Sequence, residues 1–191
     1  MTLVAIASDH AGFELKEWLK AQYKAQPNVT GTNQTTGQTT DQTTDQHGKV
    51  VQNEAEASTG IQWIDLGPQD PDRVDYPDFA DRVAEKVAAQ STVEEQAQTQ
   101  TKVIGVLICG SGQGMAMRAN RHTGVRAALA WNSDSARLSR EHNDANVLCL
   151  GARMVSPETA KEIFETFLTT PFEGGRHRDR VAKLSRPAGA K

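Results

Sequence analysis

The sequence predicts an α/β protein, a Rossmann-like doubly wound five-stranded parallel sheet in three layers (α/β/α). Three observations carry that prediction. Short apolar runs alternate with amphipathic stretches about five times, the pattern of parallel strands joined by right-handed helical crossovers. Residues 103–109 (VIGVLIC) are apolar throughout, as in a strand covered on both faces. Three of the runs end in turns, at 8–12, 109–114 and 151–153, where such sheets bind ligands beyond their strands' carboxyl ends.

Each element has its own signal. Residues 3–7 (LVAIA) read as a buried strand. After the turn Ser8-Asp9-His10-Ala11-Gly12, Phe13, Leu15, Trp18, Leu19 and Tyr23 alternate with Glu and Lys as one face of a helix that ends before Pro27. Residues 27–60 break the pattern. The tetrad Gln-Thr-Thr-Gly at 34–37 is followed by Gln-Thr-Thr-Asp at 38–41 and 42–45. Such a segment has little to bury and is expected to stay unfolded. As a loop eight times the usual length it adds about 2 kcal/mol of closure entropy.

Residues 61–66 (IQWIDL) resume as a strand stopped by Gly67-Pro68, and Asp75-Tyr76-Pro77 opens a helix. Phe79, Val83 and Val87, with Ala80, Ala84 and Ala88 beside them, give that helix one apolar face. A second polar stretch over 90–102 extends it or loops out. The strand 103–109 then leads through a glycine-rich turn into a helix reaching about His122. A strand over 125–130, a helix over about 133–142 and a strand over 146–151 follow. Ser156 and Pro157 suit the N-cap and first position of a helix burying Ile163, Phe164, Phe167 and Leu168, and 176–186 reads as a last basic helix. The 191 residues therefore amount to a single domain, with two polar insertions that explain a hydrophobic content of 37%.

Charge narrows the function. A net charge of −3 excludes a generally basic nucleic-acid binder. Its distribution is uneven: residues 1–117 are net −8, whereas 118–191 are net +5 and hold 10 of the 12 arginines. Arginine binds carboxylate and phosphate bidentately, so an anionic ligand is expected. The sequence shows no apolar run long enough for a transmembrane helix and no signal-peptide pattern. Cys109 and Cys149 have neither metal-ligand spacing nor the number for a disulfide scaffold, so a reduced, cytosolic protein is expected.

Chemistry concentrates at Cys109-Gly110-Ser111-Gly112-Gln113-Gly114. Alternating glycines between a strand and a helix let the backbone turn sharply and offer free N–H groups to an oxyanion. Met115 stands where a dinucleotide fingerprint would continue and where a cysteine phosphatase would carry Arg. Ser111 stands where a P-loop needs Lys. Cys109 is then either a thiol whose ionised form the helix N-terminus favours or a small apolar strand residue.

Taken together, Ser8-Asp9-His10-Ala11-Gly12-Phe13-Glu14-Leu15-Lys16, Asp75-Tyr76-Pro77, ICGSGQGM (108–115), Ala119-Asn120-Arg121, SREHNDANVLCLGAR (139–153) and Gly174-Gly175-Arg176-His177 resemble the ribose-5-phosphate isomerase B family, which includes the galactose-6-phosphate isomerase subunits. The resemblance implies metal-free, cofactor-free aldose–ketose isomerisation of a phosphosugar. A ring-opened sugar loses the C2 proton, passes through an enediolate and is reprotonated at C1. It makes Cys109 the base, since Met115 holds the place where some members carry Glu. The amides of Gly110, Gly112, Gln113 and Gly114 become oxyanion donors. Ser111 relays protons between O1 and O2, or merely stabilises the turn.

His142 becomes the ring-opening acid/base, though alone it reads as an ordinary helix-end histidine. Asn143 and Tyr76 bind sugar. Asp9 accepts sugar hydroxyls or caps the following helix. His10, Arg153, Arg176 and Arg180 take the phosphate, while Arg178 and Arg186 read as surface charges. The family's tail arginines reach a neighbouring subunit's site, which implies a homodimer or dimer of dimers; no nucleic-acid or membrane partner is expected. Arg118, where the family is usually small, faces solvent or adds charge near the site. Two other readings stay open: isomerisation of a six-carbon phosphosugar such as allose or galactose 6-phosphate, and a non-catalytic phosphosugar-binding module.

Overall fold

The computed structural model describes residues 2–23, 60–91 and 102–185. The expected insertion at 27–60, most of the polar stretch at 90–102, and Arg186 lie outside these residues. Five strands, β1 (Thr2–Ser8), β2 (Ile61–Asp65), β3 (Val103–Cys109), β4 (Ala127–Leu129) and β5 (Val147–Gly151), form one parallel sheet in the order β2-β1-β3-β5-β4. Between them run α1 (Phe13–Ala21), α2 (Tyr76–Ser91), α3 (Gln113–Ala119) and α4 (Ser133–Asn143), followed by α5 (Pro157–Thr169), a 3-10 turn (Gly175–His177) and α6 (Arg178–Leu184).

The two-residue period of the strands divides the core. Val4, Ile6, Val106, Ile108, Leu148 and Leu150 pack against Leu15 and Leu19 of α1 and Ile163, Phe164 and Phe167 of α5. Ala5, Ala7, Leu107, Cys109, Val147 and Cys149 face Phe79, Val83 and Val87 of α2 and Met115 and Ala119 of α3. The sheet is thus covered on both faces, as the uniformly buried β3 requires.

Several boundaries are tighter than the sequence suggests. β4 spans three residues rather than six because it lies at the sheet edge and pairs with β5 alone. The tail opens with a 3-10 turn that runs directly into α6, the backbone staying helical through His177 and Arg178, and Gly174 and Gly175, at positive φ values of 67° and 51°, set where it begins. Ser156 caps α5, accepting from Thr159 N–H at 3.2 Å, with Pro157 in the first turn as expected. Asn132 and Ser135 close a reciprocal capping box on α4.

Lys16 is an interior cation. Only 1% of its side chain is exposed, and its ammonium donates to Asp65 at 2.8 Å and to the Pro68 carbonyl at 3.1 Å. It thereby ties α1 to the end of β2 and to the segment leading to Tyr76. Burial alone raises the Asp65 carboxyl, but hydrogen bonds from Lys16 and Lys20 and the Gly67 N–H outweigh it and hold the group below its ordinary range.

Candidate functional site

Strand order reverses between β1 and β3, and the crevice beyond their carboxyl ends is the switch point where open α/β sheets hold ligands. Asp9 and Cys109 stand on its two sides. The Asp9 N–H donates to the Ile108 carbonyl at 3.1 Å. Its carboxylate accepts from Gly12 N–H at 2.9 Å and is nearly buried. Asp9 therefore braces the turn before α1 and is not that helix's N-cap, a position held by Gly12. His10, next to Asp9, is exposed.

The turn after β3 wraps around the sulfur. Gly112 N–H donates to Cys109 Sγ at 3.1 Å. Gly112 sits at φ 76°, and a Cβ there would meet Leu129 Cδ1 at 2.5 Å and the Leu150 backbone carbon at 2.9 Å. Glycine is required on both counts. Gly114 leaves room for Tyr76, whose ring carbon would come within 2.6 Å of a Cβ at that position. Tyr76 is 39% exposed and packs beside the glycine-rich turn. Ser111 and Gln113 are exposed.

The turn after β5 is stitched to this one. Ala152 N–H donates to the Cys109 carbonyl at 2.8 Å and Arg153 N–H to the Gly110 carbonyl at 3.1 Å. The exposed Arg153 guanidinium lies against Gly110, 3.2 Å from where a Cβ would be. Met115 is fully buried, so it presents nothing to the crevice. Cys149 is buried as well, and burial, with Cys109 nearby, pushes its thiol far up. It belongs to the core.

The remaining expected residues are elsewhere. α4 starts beyond the carboxyl end of β4 and runs back to the amino end of β5, where Asn143 O accepts from Arg126 Nε at 3.1 Å. From Asn132 to His142 that path rises roughly 15 Å. α5 makes the same return, and its terminal Thr170 carbonyl accepts from Arg140. His142 and Asn143 therefore lie at the opposite edge of the sheet from Cys109, on the side that carries the 3-10 turn with Arg176 and α6 with Arg180. The structure gathers Asp9, His10, Tyr76, Cys109, the 110–114 turn and Arg153 into one group. It gathers His142, Arg176 and their neighbours into another, and does not bring the two together within one chain.

In the second group His142 stacks on His177, ring centroids 4.4 Å apart and 8° from parallel. Glu173 Oε2 stands 4.0 Å from His142 Nε2 and 3.6 Å from His177 Nε2, and Arg176 Nε lies 3.3 Å from His177 Nε2. Burial, then the neighbouring His142 and Arg176, lower the His177 imidazole below its ordinary value. The sequence quotes His177 within its glycine-arginine motif but assigns it no role, and passes over Glu173. Their one signal is adjacency to Arg176, because the contact with His142 spans two helices. Arg118 is settled: it forms a bidentate pair with Asp81 of α2 at 2.7 Å, and His122 shares that carboxylate.

Fold and site define an α/β protein with a thiol and an amide-lined turn at its ligand crevice, and an arginine- and histidine-bearing surface at the opposite edge. The comparisons identify its kin. The family model described as Ribose/Galactose Isomerase matches residues 39–184, and the chain belongs to that family. A probable ribose-5-phosphate isomerase B of Mycoplasma pneumoniae is 36% identical over 95% of this chain and 91% of its own length. The ribose-5-phosphate isomerase B of Escherichia coli is 38% identical over 72% and 88%. Among solved structures, ribose-5-phosphate isomerase B from Mycoplasma genitalium with bound ribulose-5-phosphate superposes with a TM-score of 0.72 at 35% identity, covering 97% of this chain and 95% of that one.

Proposed function

We propose that the protein interconverts ribose 5-phosphate and ribulose 5-phosphate, with Cys109 as base and with each active site assembled from two copies of the chain. The observation that carries this reading is the turn at Cys109, where Gly112 N–H points at the sulfur and α3 begins at Gln113, its first amides without intrahelical partners. Family membership and the Mycoplasma genitalium relative with bound ribulose-5-phosphate support the substrate class.

The steps follow from the groups available. The Cys109 thiolate takes the C2 proton of the open-chain aldose and returns it to C1. Negative charge gathers on O1 and O2 in the enediolate and is stabilised by the amides of Gly110, Gln113 and Gly114, each such donor contributing roughly 3 kcal/mol, while Gly112 N–H holds the sulfur and turns to the substrate as the thiolate takes up the proton. Ser111 carries the proton between the two oxygens. Asp9 and Tyr76 hold sugar hydroxyls, and His10 and Arg153 approach the phosphate from the same copy. His142 opens the furanose ring, Asn143 binds hydroxyls, and Arg176 and Arg180 grip the phosphate from the other copy.

The two-copy arrangement is supported by the separation of the two groups across the sheet. It is supported too by the groove along α4, which runs from Leu129 and the 61% exposed Trp131, past Leu138, to His142 and Asn143. An apolar groove joining one half-site to the other edge of the sheet suits a second copy. No helix among the described residues is long and apolar enough to cross a membrane, which fits our reading of a cytosolic enzyme.

The test measures kcat/KM for ribose 5-phosphate and for allose and galactose 6-phosphates, in wild type and Cys109→Ala. Ribose 5-phosphate should be preferred, and Cys109→Ala should lose at least about 10²–10⁴-fold in kcat. Undiminished turnover in the variant would overturn the cysteine base. A six-carbon preference would overturn the substrate.

A further inference from the structure

We propose that His142, Glu173 and His177 form a binding site for a divalent transition ion of the zinc class, and that the bound ion inhibits the isomerase by occupying His142. The inhibitory half rests on the role given to His142 above; the binding half does not. One nitrogen from each histidine and one Glu173 carboxylate oxygen lie within 4.8 Å of one another. Two imidazoles and a carboxylate around a tetrahedral zinc, with ligand bonds of about 2.0–2.2 Å, stand roughly 3.3–3.6 Å apart. Glu173 Oε2 is already 3.6 Å from His177 Nε2 and 4.0 Å from His142 Nε2, so small side-chain rotations suffice. The fourth position stays open, as in zinc sites with three protein ligands.

The protonation state is also right. A metal needs a neutral imidazole with a free lone pair. Arg176 Nε–H can act only as a donor, and it lies 3.3 Å from His177 Nε2, so that nitrogen is the acceptor and the ring is neutral there. An incoming ion displaces the Arg176 hydrogen bond and gains a nitrogen ligand. Glu173 is half exposed and offsets the ion's charge. A coordinated Nε2 on His142 has neither lone pair nor proton to exchange with a sugar oxygen, which is why the ion blocks ring opening.

Zn²⁺ is titrated into the full-length protein by calorimetry without sugar phosphate, with Co²⁺ absorption as a second probe. One ion per chain is expected, with a Co²⁺ spectrum lacking the intense near-ultraviolet thiolate band. Glu173→Gln and His177→Gln should each weaken binding more than the roughly 10–100-fold cost of losing a second-shell partner. Cys109→Ala should bind as wild type. Unchanged affinity in Glu173→Gln, or a thiolate band lost in Cys109→Ala, would overturn the site. Isomerisation of ribose 5-phosphate should fall with Zn²⁺ and recover with EDTA in wild type, and resist Zn²⁺ in Glu173→Gln. Glu173-dependent binding with unaltered turnover would overturn the inhibition and count against His142 as ring opener, leaving the binding result intact.

Discussion

The turn around Cys109 and the cluster around His142 are built by different means. At the turn the backbone does the positioning: Gly112 holds φ 76°, its N–H meets the sulfur, and the β5 turn is bonded to the 109–110 carbonyls. Around His142 the positioning is done by side chains from segments about thirty residues apart, two stacked imidazoles with Glu173 and Arg176 at their edge. A backbone-built site is rigid and nearly indifferent to its surroundings. A side-chain cluster on an exposed edge is complete only when something covers it. The contrast fits the proposal that the base and the oxyanion donors share one chain while the ring opener and tail arginines come from another.

After the loss expected of Cys109→Ala, the next largest effect breaks the backbone half. In Gly112→Ala the Cβ would press on the Leu150 backbone at 2.9 Å and strain a left-handed φ. Displacing that amide should cost about 10²–10³ in kcat, with a Tm loss reflecting about 1–3 kcal/mol of strain. Steady-state kinetics and thermal melts check both. On the side-chain half, Arg176→Ala removes one charge-assisted contact, worth about 1.5–3 kcal/mol. It should raise KM for ribose 5-phosphate roughly 10- to 100-fold with little change in Tm. A loss confined to kcat would mean Arg176 does not hold the phosphate in the ground state.

A third change tests the scaffold that both halves share. Because Asp65 titrates below its ordinary value when folded, its contribution is present above about pH 4. It is lost as pH falls through the folded value. Wild-type Tm should drop in that acid range, and Asp65→Asn should flatten the drop. At neutral pH the variant should be about 1.5–3 kcal/mol less stable, since the buried Lys16 loses one charged partner and keeps Glu17 at 2.8 Å and the Pro68 carbonyl. The smallest effect is expected from Arg118→Ala. The pair with Asp81 is exposed, so Tm and turnover should stay near wild type. A rate change there would show that this charge reaches the site.

Much of this was readable in the residues, and unevenly. The apolar run 103–109, the Ser156–Pro157 start of α5 and the apolar face at Phe79, Val83 and Val87 are local patterns, and local physics sets them. Gly112 could be read because few residues other than glycine satisfy its turn. The three-residue β4 and the 3-10 start of the tail helix depend on edge position and on packing between distant segments. So does the distance between His142 and Cys109. The resemblance named both as site residues, but which edge of the sheet each occupies follows from the direction of α4, and that takes the fold to see.

The most direct measurement of the two-copy site mixes two inactive variants. Cys109→Ala and His142→Asn, each nearly inactive alone, are co-refolded in equal amounts and assayed on ribose 5-phosphate. If each site takes Cys109 from one copy and His142 from the other, half of the dimers are hybrids with one intact site of two. Activity should then return to about a quarter of wild type. If hybrids form and no activity returns, Cys109 and His142 act within one chain and the account is wrong.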